Sequence, residues 1–137
     1  MRLERDEAWS TLLTTDHGVL STVHPERGVD SVPVVFAALD EGRLAIPIDT
    51  VKPKSTTQLQ RAANIEHDPR CVLLAEHYDD DWSRLWWVRV HALAVVTDEV
   101  PAELRRFPAY AAPDAIVAAI VLTPTEITGW RATPVDG

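Results

Sequence analysis

At 137 residues, with 46% hydrophobic and 25% charged side chains, the chain has the length and composition of one globular domain, 1–137. A formal net charge of -8 at pH 7 excludes the broad basic face that general nucleic-acid binding needs. Cys71 is the single cysteine, so no intrachain disulfide can form; with no leader pattern and no bilayer-length apolar run, a cytoplasmic protein away from the membrane is expected.

Residues 3–14 predict a first helix, with Leu3, Ala8, Trp9, Leu12 and Leu13 on one side. Gly18 is the break, 19–24 predicts a strand, and Pro25-Glu26-Arg27-Gly28 is turn chemistry. Residues 29–39 predict one strand, and Asp40-Glu41-Gly42 a tight turn with glycine at positive φ leading into 43–48. Together these segments predict a three-strand antiparallel meander. Pro33 and Pro47 lie inside strand-like runs, so each is expected at an edge, a bulge or a barrel corner. A central helix follows, in which Ser55 and Gln58 form a capping box, Leu59, Ala62 and Ala63 give the apolar stripe, and Asp68-Pro69 ends it. Residues 70–78 predict a strand that is apolar on both faces and therefore buried on both. After the acidic turn Asp79-Asp80-Asp81 come a long strand over 85–97, a short helix over 99–112 broken at Pro108, and strands over 116–122 and 127–132. Many strands with few helices predict a mainly β fold with short helices, a closed or nearly closed barrel with helices at its openings.

The only two lysines, Lys52 and Lys54, flank Pro53 just ahead of the central helix. Cations there oppose the helix dipole and cost stability unless an anion is bound. With first-turn amides and the hydroxyls of Ser55, Thr56 and Thr57 they make a site for phosphate or carboxylate, the alternative being a solvated loop. Trp82, Trp86 and Trp87, with Tyr78 ahead of them, exceed what one strand needs for its core. A flat aromatic ligand or a subunit interface would explain them, although neighbouring Trp86 and Trp87 face opposite ways and cannot share a pocket. Glu76, His77 and the three aspartates lack the spacing and glycine of a cation loop, so no metal site is expected. Cys71 reads as an inert thiol between apolar residues, and the five histidines are scattered. No acid/base or nucleophile constellation is present. An enzyme built on this chain would draw its chemistry from a bound cofactor.

The order VPVVF (32–36), IPIDTVKPKSTTQLQRAANIEHDPRCVLL (46–74) and HYDDDWSRLWWVRV (77–90) resembles the pyridoxamine 5'-phosphate oxidase-like split β-barrel superfamily. More narrowly it resembles the actinobacterial branch of F420 (deazaflavin)-dependent oxidoreductases. The resemblance runs over 17–94 and extends more weakly to Trp130. It implies a split β-barrel and a homodimer with a cofactor site at each side of the interface. The cofactor implied is coenzyme F420, with FMN as the alternative, and the reaction is hydride transfer to or from a small organic substrate. Carried over by position, Lys52 and Lys54 would hold the cofactor phosphate with Ser55 as hydroxyl partner, and Ile48 and Asp49 would run along the ring. Val34, Val35 and Phe36 would flank the ring on the neighbouring strand, and Trp82 and Trp86 would stand on the interface side. The further substrate-binding residues of members that oxidise pyridoxamine phosphate have no match. Two rival readings use the same fold. One is a non-catalytic protein holding a flavin, F420 or haem, with His77 or Tyr78 as axial-ligand candidate. The other is a structural dimeric barrel that binds no cofactor.

Overall fold

The computed structural model describes residues 1–49, 56–112 and 114–133. Its strands are β1 (His17–His24), β2 (Gly28–Val35), β3 (Ala37–Ala38), β4 (Leu44–Asp49), β5 (Arg70–His77), β6 (Trp86–Thr97) and β7 (Ile116–Arg131). The helices are α1 (Arg5–Leu12) and α2 (Thr56–His67). All pairings are antiparallel, in one seven-stranded sheet of order β2-β1-β5-β6-β7-β4-β3. The two ends of that order, β2 and β3, are separated in the chain by Phe36 alone, so the sheet closes on itself. The strand expected over 29–39 is therefore two. Its first part pairs with β1 and its last two residues pair with β4, so one run of chain serves two neighbours by bending at Phe36. There the Phe36 N–H donates to the Asp16 carbonyl at 2.9 Å, and the ring, 1% exposed, fills the interior.

Alternation then sorts the side chains. Along β6, Val88, Val90, Ala92 and Ala94 point inward and join Leu20, Leu44, Ile46, Leu73, Ile120 and Leu122 in the barrel core. Each large aliphatic group so buried contributes about 1.5–3 kcal/mol. α1 closes one opening with Ala8 and Leu12. It begins at Arg5, later than expected, because Leu3 instead donates its N–H to the Gly129 carbonyl at 2.9 Å. Leu13, expected on the buried side, is exposed. A Cβ on Gly129 would meet both Ala8 and Leu3 at 3.2 Å, so this glycine lets the helix sit close.

Both prolines lie where the ladder does not need their N–H. Pro33 is on β2, which among the described residues pairs only with β1, and Pro47 lies beyond the two β3 residues that pair with β4. The two last strands expected are one continuous β7. A register shift at His91/Ala92 takes up Pro124, and the Thr125 hydroxyl donates to the His91 carbonyl at 3.1 Å. The helix expected over 99–112 is two 3-10 segments, Ala102–Arg106 and Pro108–Tyr110. Leu104 and Tyr110 from them, with Phe107 between, cover the outer face of β3, β4 and β7 over Ala37, Ala45, Ile116 and Ala119. Among the described residues, the outer face of β1, β5 and β6 carries no such cover. On β5, Cys71, Leu73 and Ala75 are buried while Leu74 is exposed, which corrects the expectation of burial on both faces. Leu74 pairs with exposed Val19, and Leu93 and Val95 are exposed on β6.

Candidate functional site

α2 covers the second opening; of the stripe expected of it, the Leu59 side chain lies outside the described residues and the two alanines do not form the buried face. Ala62 is half-buried and Ala63 exposed, whereas Arg61, Asn64 and Ile65 are buried. The reason lies in what the barrel offers there: buried Thr22 on β1 and Asp30 on β2 are polar, so a polar helix face meets them. The Asn64 amide nitrogen donates to Thr22 Oγ1 at 3.0 Å and to Asp30 Oδ2 at 2.9 Å, and its oxygen accepts from Gln60 Nε2 at 2.8 Å. Asp30 also takes a two-pronged contact from Arg27, Nη2 to Oδ2 at 2.8 Å and Nε to Oδ1 at 3.3 Å. These bonds, from Arg27 first and Asn64 second, hold the Asp30 carboxyl below its ordinary pKa. Arg27 itself is set by the β1–β2 turn, where His24 Nδ1 accepts the N–H groups of Glu26 and Arg27 at 3.0 and 2.9 Å.

Around this network opens a cleft of about 420 Å³ lined by Thr22, Arg27, Asp30, Ser31, Val32, Gln60 and Arg61. Two guanidiniums, a primary amide and two hydroxyls around a single carboxylate form a donor-rich set suited to a phosphate or carboxylate. Arg61 is 7% exposed, and a guanidinium withdrawn so far from water needs acceptors around it. The sequence reading missed Arg61 and Arg27 as site residues. The signal was the i, i+3, i+4 spacing of Arg61, Asn64 and Ile65, a buried helix stripe masked by two polar members.

The expected site residues fall into separate groups. Lys52, Lys54 and Ser55 lie outside the described residues. Val34 and Phe36 turn their side chains into the barrel core, Val35 is half-buried, and Ile48 packs against the same core. Asp49 is the end of β4, paired with Ile116 past a register shift. Thus β2 and β4 bring Val34, Phe36 and Ile48 together at the barrel seam. Trp82 precedes β6 and Trp86 opens it, with β7 between that strand and β4, and Trp86 packs against the same core as Ile48. Trp82, 72% exposed, sits on a 3-10 turn capped by Asp81, whose Oδ1 accepts from Ser83 N at 3.0 Å. Trp86 lies on the inward face and stacks near-parallel with His77 at 6.5 Å, while Trp87, facing outward, lies under the Arg89 guanidinium at 5.2 Å.

His77 Nε2 contacts Asp79 Oδ2 at 3.0 Å on the surface, and Tyr78 is exposed. Among the described residues no group of three His, Cys, Asp or Glu side chains is placed to hold a metal. Among them too, no helix is long and apolar enough to cross a membrane.

The closed sheet with helices at its openings is a split β-barrel of the pyridoxamine 5'-phosphate oxidase-like fold. It aligns with the FAD-binding protein of Mycobacterium smegmatis at a TM-score of 0.64 and 19% identity, covering 96% of this chain and 98% of that one. An FAD-binding protein from Mesorhizobium loti aligns at 0.67 and 13%, covering 94% and 93%. A nominal pyridoxamine 5'-phosphate oxidase from Corynebacterium glutamicum aligns at 0.61 and 19%, covering 98% and 94%. No protein-family model and no curated protein sequence matches the chain.

Proposed function

We propose that this protein is a split-barrel oxidoreductase that binds a flavin-type cofactor and holds the cofactor's phosphate in the cleft between β2 and α2. The observation that carries the reading is the pairing of buried Arg61 with Arg27 around that cleft, in an otherwise acidic chain. The donor set fits a phosphate: both guanidiniums can make charge-assisted bonds, and Ser31 and Gln60 can complete them. Lys52, Lys54 and Ser55 occur between the end of β4 and the start of α2 and would add two ammonium groups and a hydroxyl. The seam formed by β2 and β4 would flank the ring through the backbones around Val35 and Asp49. When bound, the ring supplies acceptance and donation of hydride. The chain's own part is to anchor the phosphate, orient the ring and keep one face open to a small organic substrate.

Between cofactors, the resemblance carried by DDDWSRLWWVR favours coenzyme F420. The structural likeness to proteins described as FAD-binding keeps flavin nucleotides as the second reading. A homodimer belongs to the same proposal. Its support is the exposed apolar face of β1, β5 and β6, which meets the cleft at one rim: Thr22 lines both the cleft and a groove across that face, and Ser21 Oγ lies 2.8 Å from Ser31 Oγ. Trp82 and Trp86 would then approach the partner's cofactor.

Titration of the purified protein with F420, FMN and FAD, followed by fluorescence, tests the reading. Micromolar binding of at least one, weakened in Lys52→Ala and Lys54→Ala, is expected, together with turnover of the reduced cofactor by small acceptors. No binding of any of the three would sink the cofactor reading. Binding unchanged in both lysine variants would leave the phosphate to the two arginines alone.

A further inference from the structure

Asn64 does not line the cleft, yet three of the side chains that do, Thr22, Asp30 and Gln60, are its hydrogen-bond partners. It is wholly buried and spends its donors on β1 and β2 and its acceptor on α2. An apolar side chain could dock the helix without that desolvation, so the network sets an orientation as well as an attachment. Arg61 stands three residues earlier on the same face of α2, and the rotation that Asn64 fixes also fixes where that guanidinium lies.

We propose that Asn64 is a positioning residue for the cleft: it locks α2 onto β1 and β2 so that Arg61 and Gln60 face strand-borne Asp30 and Ser31, and its amide keeps Asp30 turned toward Arg27. That the cleft takes a phosphate-bearing ligand rests on the function proposed above; the role of Asn64 goes beyond it.

Asn64→Asp is the discriminating variant. It keeps the size but puts an oxygen against Asp30 Oδ2, where the amide nitrogen now stands at 2.9 Å. Two carboxylates that close share a proton, and the charged and titratable groups facing them are Arg27 and His24 from the β1–β2 turn and Arg61 from α2. With both ionised the pair repels and the helix is displaced; with one protonated the donor to Asp30 is restored.

F420, FMN, FAD and inorganic phosphate are the probes, and the ratio of variant to wild-type Kd is the readout, which cancels titration of the ligand itself. A ratio of about ten or more near pH 8, falling toward one near pH 5, is expected. Neutral Asn64→Leu is expected to bind weakly at every pH, which separates loss of position from added charge. A ratio that does not change with pH, or wild-type affinity in Asn64→Leu, would reduce Asn64 to a structural residue. Should Asn64→Leu not fold, the Asn64→Asp profile alone decides. A wild-type chain that binds none of these probes overturns the proposed function, and this role with it. Wild-type binding with a flat ratio overturns the role alone.

Discussion

Arg61 and Cys71 are both buried, and the cost of burial falls on them differently. The Cys71 thiol lies on the inward face of β5, donating to the Ala92 carbonyl at 3.7 Å, and desolvation pushes its pKa up to about 12. Almost no thiolate exists at neutral pH, so Cys71 is expected to resist a maleimide in the native protein and react once the chain is unfolded. Rapid labelling of the native protein would contradict its place in the core. Arg61 cannot escape burial by losing its proton, so its charge must be matched where it stands. That difference is why the thiol was legible as inert from its apolar neighbours, whereas the arginine, an ordinary surface residue by type, was not legible as part of a site.

α2 and its exit show what local chemistry reveals about an element and what it hides. The stop at Asp68-Pro69 was legible because proline cannot continue a helix, and α2 ends at His67. Asp68 then does a second job: its carboxylate takes the Arg70 guanidinium at 2.7 Å and the Arg70 N–H at 3.1 Å, fastening the helix exit to the start of β5. Those bonds hold its pKa at about 2, below the ordinary aspartate value. Because the folded value is the lower one, the pair's contribution is present above the unfolded pKa and is lost as pH falls through that value toward 2. Asp68→Asn is therefore expected to lower the Tm at neutral pH and to converge with the wild type in strong acid. A gap that stayed constant into strong acid would contradict the linkage. The buried face of α2 was hidden for a different reason. Helical periodicity marks Ala62 and Ala63 as readily as Asn64 and Ile65, and only the polar barrel end presented by Thr22 and Asp30 selects between them.

At the scale of the molecule, strand alternation and turn chemistry were enough to foresee a barrel with plugged ends, because away from Thr22 and Asp30 the strands' inward sets are apolar. Closure was not foreseeable in detail. It depends on a bend at Phe36 that lets one run pair with two strands, and on a register shift that carries β7 past Pro124. The same closure divides the outer surface into a half covered by Leu104, Phe107 and Tyr110 and a half left apolar and exposed. If a second copy covers the exposed half, a glutamate there must be desolvated against an apolar face. Leu93→Glu is accordingly expected to turn a dimer into a folded monomer in sedimentation equilibrium. A wild-type protein that sediments as a monomer at all concentrations would contradict the dimer.

The central claim, that the cleft between β2 and α2 anchors a cofactor phosphate, is tested most directly by the Kd values of F420 and FMN for wild type and Arg61→Gln, with circular dichroism confirming that the variant is folded. Removing one charge-assisted contact is worth roughly 1.5–3 kcal/mol, so binding is expected to weaken by at least about tenfold. A folded Arg61→Gln variant that binds both cofactors as tightly as the wild type would contradict the account.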